Sequence, residues 1–204
     1  MNREPVATRH RLGAIASVAL IMIGLVGSTV LGGPLFALPL LAVGMLLGWR
    51  VLPSFWRTVG HGLVGGAVAG LLILGPGLRL AMRVVAILDP IRTPEFTWEG
   101  TLGIVFAVGG ILGLVFGISS ALLMRALGRA VVSTTTVVLF MGLLLAGEDL
   151  RQELMELGAG PVVNIPLFAA VAAAFALVMT GIIERLERRT VRVSASPKRT
   201  RVLT

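Results

Sequence analysis

Residues 75–101 read GPGLRLAMRVVAILDPIRTPEFTWEGT. Apolar runs of membrane-spanning length flank this stretch on both sides, so the way the chain passes through it decides the architecture. Gly75-Pro76-Gly77 opens it. Proline removes a backbone donor and two glycines loosen the turn, so a break or kink in the helix is expected there. Arg79 and Arg83 follow. Their four-residue spacing sets them about 40° apart on one helix face. An arginine pair in or beside a membrane is costly unless it has partners. Asp89-Pro90 then ends the helical pattern, and a polar loop carries Arg92, Glu95 and Glu99.

Working outward, composition sets the class. Of 204 residues, 56% are hydrophobic and only 14% are charged, with a mean hydropathy of +0.95. Soluble domains are nearer a quarter charged, so too few polar groups remain to cover a globule in water. Apolar runs of about 20 residues are long enough to cross a hydrocarbon core. The fold class is therefore an all-α integral membrane bundle. Six transmembrane helices are expected, at about residues 12–31, 35–52, 58–74 with a further piece at 78–88, 101–124, 130–147 and 164–183. The third is the one expected to break at Gly75-Pro76-Gly77. Residues 1–190 form one transmembrane domain, and residues 191–204 are a basic tail expected to be disordered.

Local signals mark the ends of these spans. Trp49, Arg50, Trp56 and Arg57 cluster where an interface should lie. Thr97 is a plausible N-cap for the fourth span, with Glu99 in its first turn. The fifth helix is expected to continue as EDLRQELMEL, with Asp149, Glu153 and Glu156 along one face. Asn164 is expected to cap the sixth span.

Charge supports this order. With the N-terminus in the cytoplasm, 14 of the 18 basic residues lie on the cytoplasmic side. They are Arg3, Arg9, Arg11, Arg50, Arg57, Arg125, Arg129 and the seven of the tail from Arg185 onward. Seven of the ten acids fall outside. That asymmetry follows the positive-inside rule. It places both termini in the cytoplasm, makes a cell membrane the expected location, and accounts for the net charge of +8 without nucleic acid as a partner.

Glycines recur at four-residue steps: Gly62, Gly66 and Gly70 in the third span, Gly109, Gly113 and Gly117 in the fourth. Such rows let backbones approach where lipid supplies no hydrophobic drive. Spans three and four are expected to touch along these rows in their cytoplasmic half and to diverge beyond Gly75. Gly24, Ser28 and Gly32, and Gly44 and Gly48, are shorter versions. Internal packing is the plain reading; a homo-oligomer through glycine-rich faces is the alternative.

No recognisable catalytic pattern accompanies these features. The chain has no cysteine, which excludes disulfides and thiolate chemistry. Its histidines are His10 and His61, so no metal site and no cofactor are expected. Ser119 follows Gly117-Ile118 as in intramembrane serine proteases, yet no later span supplies a histidine base; it reads as a packing residue. His61 reads as an interfacial or packing histidine, and Ser133-Thr134-Thr135-Thr136 as hydroxyls bonding to their own helix or lining a packed interface.

The arginines remain. One reading is an ion-pair network of Arg79 and Arg83 with Glu95, Glu99, Asp149, Glu153 or Glu156. The functional reading is an anion site, because guanidinium grips phosphate or carboxylate through paired donors. Anionic membrane lipids are the natural partner, with Arg79, Arg83, Glu95 and Glu99 as the ligand-binding set. A small-solute or ion transporter or channel is the alternative, since interrupted spans line substrate sites. An enzyme acting on a lipid phosphate ranks last: only Asp89, Glu95 and Glu99 could serve as nucleophile or base beside the arginines, and no histidine or metal-ligand set accompanies them.

GLRLAMRVVAILDP and PEFTWEGTLGIV, within residues 77–105, resemble a stretch of small multi-pass bacterial membrane proteins with no assigned activity. The resemblance implies a six-helix-like membrane protein and carries no functional residue.

Overall fold

The computed structural model describes residues 15, 16, 19, 43, 44, 46, 49, 50, 54–88, 97–146, 151, 155 and 160–195. Among these the chain is all helical, with no strand. Four long helices carry the fold: α1 (Phe55–Leu88) and α2 (Trp98–Leu127), α3 (Arg129–Ala146) and α4 (Pro161–Ala195). Three of them, α1, α2 and α4, are long and apolar enough to cross a membrane, and α3 is a shorter apolar helix. They correspond to the third to sixth expected spans. The first two expected spans lie outside the described residues, apart from isolated helical positions.

Gly75-Pro76-Gly77 does not break α1, contrary to expectation. The helix continues to Leu88, and the irregularity sits one turn earlier as a π-helical segment, Gly70–Leu74. Gly75 N–H donates to the Gly70 carbonyl, five residues back. Proline within an α-helix drives its ring against the carbonyl four residues before it. Widening the preceding turn relieves that conflict without ending the helix. α2 holds a longer π segment, Ile104–Leu112, between α-helical ends.

The glycine rows do bring α1 and α2 together. A methyl placed on Gly62 would meet the Gly117 carbonyl at 2.6 Å. One on Gly66 would strike Gly113 and Gly117, and one on Gly70 would strike Gly109. The seam does not open at Gly75: a methyl there would lie 2.7 Å from Val105 Cα. The two helices are thus still in contact where divergence was expected. Along α1 the seam positions are 62, 66, 70 and 75, steps of four, four and five. The extra residue in the last step is what a π turn inserts, and it keeps glycine rather than Leu74 against α2.

α2 passes to α3 through Gly128, whose φ of 81° suits glycine. α4 begins at Pro161 after Gly160 (φ 74°), with proline at a first-turn position that needs no N–H donor. Asn164 is therefore not the cap expected of it; it lies inside the first turns and is buried. α4 continues past Ile183, where the sixth span was expected to end, as far as Ala195. It packs on α1, with Gly65 against Ile183 and Gly77 against Val171.

The main core gathers Leu74, Leu78, Phe116, Phe140, Phe175 and Met179. Phe116 lies 6.1 Å from Phe140 and 6.3 Å from Phe175, centroid to centroid. A second cluster, Phe55, Val59, Leu122, Leu123 and Val132, closes the end where α1 begins. Large apolar side chains such as Leu72, Ile87, Phe106 and Val138 stay exposed on the outer faces. Surfaces of this kind suit lipid rather than water.

Candidate functional site

The bundle has two polar ends, and the sequence-derived site belongs to the one where α1 ends and α2 begins. On α1 the buried stripe is Leu78, Ala81 and Val85. Arg79 is half-buried and Arg83 is exposed, both turned roughly away from that stripe. The contact of Gly75 with Val105 puts Arg79 about one turn further out, level with Thr101, and Arg83 level with the start of α2. There Thr97 Oγ1 accepts the Gly100 N–H at 3.2 Å, as a capping residue should. Glu99 lies in this first turn and is exposed, beside exposed Trp98. Neither Arg79 nor Arg83 is without a partner. Glu95, Asp149, Glu153 and Glu156 lie outside the described residues. Of the four proposed ligand-binding residues, the structure therefore places three, Arg79, Arg83 and Glu99, at one end of the α1–α2 pair.

The opposite end holds ion pairs that the sequence reading did not anticipate. Arg129 donates to Glu184 at 3.0 Å and Arg188 to the same carboxylate at 2.6 Å. Arg125 Nε lies 3.5 Å from Glu187. The Arg125 and Arg129 contacts tie the α2–α3 turn to α4. The Glu184–Arg188 pair has the four-residue helical spacing and is legible in sequence. The other two depend on α4 returning antiparallel beside Gly128.

Between the ends, the buried polar groups are hydroxyls. Ser120 and Thr136 lie 3.1 Å apart, as do Ser133 and Thr180. Thr136 and Thr180 also donate to carbonyls of their own helices, Val132 at 2.9 Å and Ala176 at 2.7 Å. A carbonyl can only accept, so each threonine spends its single proton there and the serine donates to it. Thr134 likewise donates back to Ala130. The serine–threonine run thus does both things expected of it. Ser119 is buried as a packing residue and its Oγ makes no hydrogen bond among the described residues. His61 is half-buried, and its Nδ1 also has no partner among the described residues. No group of three or more His, Cys, Asp or Glu that could hold a metal occurs among the described residues.

No protein-family model, curated protein or solved structure matches this chain.

Proposed function

We propose that the protein is a six-span membrane protein, with both termini cytoplasmic, that binds an anionic group through Arg79 and Arg83 at its outer end. The anion is a lipid headgroup or an anionic partner. The carrying observation is the placement of the pair: one turn apart, one half-buried and one exposed, level with the capped start of α2. A guanidinium has five N–H donors, so a carboxylate that positions it still leaves donors for a phosphate. Glu95, Glu99, Asp149, Glu153 and Glu156 are proposed in that positioning role. Because the α1 and α2 glycine rows are used within the chain, any self-association would draw on Gly24, Ser28 and Gly32, or on Gly44 and Gly48.

The test is native mass spectrometry of the protein extracted from its own membrane, beside the Arg79→Ala/Arg83→Ala variant. A phosphate-bearing mass retained by the unsubstituted protein and lost from the folded variant is expected. The same retained mass on both proteins, or none on either, overturns the reading. The facing π segments of α1 and α2 favour transport of a small solute as a second reading, since π turns are frequent at functional sites. Solute flux in proteoliposomes separates the two.

A further inference from the structure

At the end where α1 begins, far from Arg79 and Arg83, Trp49, Ser54, Phe55, Trp56 and Arg57 line a groove of about 340 Å³. Its floor is fixed. Phe55 is buried in the second core cluster, and Trp56 rests edge-on against it, ring centroids 5.5 Å apart. Trp49 and Trp56 are 57% and 65% exposed, so both indoles present apolar faces and N–H donors at the surface. Indoles prefer the boundary between hydrocarbon and headgroups. α1 is 34 residues long, about 50 Å against a hydrocarbon core of about 30 Å, so its first turn reaches that boundary. Ser54 does not turn its hydroxyl back to cap the helix.

The charge of the groove is Arg57. The described carboxylates at this end are Glu184 and Glu187, and each is already held by other arginines: Glu184 by Arg129 and Arg188, Glu187 by Arg125. Arg57 is exposed and makes no ion pair among the described residues. A cation flanked by indoles at the membrane boundary matches a phospholipid: phosphate on the guanidinium, glycerol and upper acyl chain on the rings. We infer that this groove seats the anionic headgroup of a phospholipid in the leaflet at the α1 N-terminal end. The site is independent of the Arg79–Arg83 reading and lies at the other end of the bundle.

Tryptophan quenching tests it. The chain has three tryptophans, and Trp98 lies at the opposite end. The full-length Trp98→Phe protein therefore reports from Trp49 and Trp56 alone. It is reconstituted in phosphatidylcholine vesicles containing a small fraction of brominated phosphatidylglycerol or brominated phosphatidylcholine. The anionic lipid is expected to quench at a mole fraction about five-fold lower than the zwitterionic one. Arg57→Gln should bring the two curves together, and Arg57→Lys should keep most of the difference. Arg185→Gln removes an equal, exposed charge from α4 at the same end and should leave the preference intact. Equal quenching by both lipids in the Arg57 protein overturns the inference. So does a preference that Arg185→Gln lowers as much as Arg57→Gln, since that marks diffuse attraction. Should Arg57→Gln fail to fold, NaCl titration of the Arg57 protein decides: a preference that survives NaCl supports a seated headgroup, and one lost in rising NaCl marks diffuse attraction and overturns the inference.

Discussion

α2 is packed by different chemistry on its two sides. Against α1 it sets backbone on backbone, through Gly109, Gly113 and Gly117 facing Gly62, Gly66 and Gly70. Against α3 and the rest of the core it uses side chains: Phe116 on Phe140 and Phe175, and Ser120 on Thr136. In lipid, apolar surface gains little by leaving the solvent, so association rests on close contact and hydrogen bonds. The glycine seam obtains contact by the absence of atoms, and the other side by their presence. The seam therefore fails when anything is added, because a backbone cannot swing aside. The side-chain face loses only what is removed, and its neighbours can turn to other partners.

Register offers the severest way to break the seam. Its α1 positions step by four, four and then five, and the π turn supplies the extra residue. Deleting Leu72, an exposed residue of that turn, would make every step four. It would also leave Pro76 in an ordinary α-helix, so the deletion belongs in a Pro76→Ala background. That protein should fold. Deleting Val68 in the same background should abolish folding, because the step from Gly66 to Gly70 becomes three and the later glycines rotate off α2. Size-exclusion profile and resistance to proteolysis would check both. Equal damage from the two deletions would mean that the π turn does not set the register.

A smaller insult adds one methyl. Gly66→Ala drives a methyl into the backbone of Gly113 and Gly117, and is expected to cost about 3 kcal/mol, the upper end for overpacking. Gly60→Ala meets nothing within 4 Å. It should be neutral or stabilising by up to about 1 kcal/mol, through helix propensity alone. Reversible unfolding in mixed micelles reads both. If the two substitutions cost the same, the seam is looser than its geometry implies.

Much of the seam could be read from the chain, because a four-residue glycine period is a local pattern with one physical use in lipid. The five-residue step could not. It depends on how Pro76 and the α2 contact are satisfied together, and Gly75-Pro76-Gly77 alone reads as a break. The Thr97 cap was legible because a capping hydroxyl answers to its own helix, whereas Asn164 looks like a cap and is displaced by Pro161 three residues earlier. Arg79 and Arg83 stood out as charges between apolar residues and Glu99 as an acid of the polar loop, and antiparallel α1 and α2 bring them to one end. The pairing of Arg129 with Glu184 spans 55 positions. No period announces it; it needs the antiparallel return of α4. Thr180 was silent for the same reason: one threonine in an apolar run gains meaning when Ser133 is found opposite it.

That pair defines the mildest expected effect and the sharpest contrast with the seam. Thr180 Oγ1 sends its proton to the Ala176 carbonyl at 2.7 Å and accepts from Ser133 at 3.1 Å. Ser133→Ala removes a donor while the threonine keeps its own bond, so no buried donor is orphaned. The expected cost is about 0.6 kcal/mol, the usual worth of an interhelical hydrogen bond in a membrane. Thr180→Val leaves the Ser133 hydroxyl free to turn to a carbonyl of its own helix, as Thr134 does, so it should cost little more. A double-mutant cycle in mixed micelles gives the coupling directly. A coupling well above 1 kcal/mol would show the hydroxyl face to be as unforgiving as the glycine seam, and the distinction between the two sides of α2 would fail.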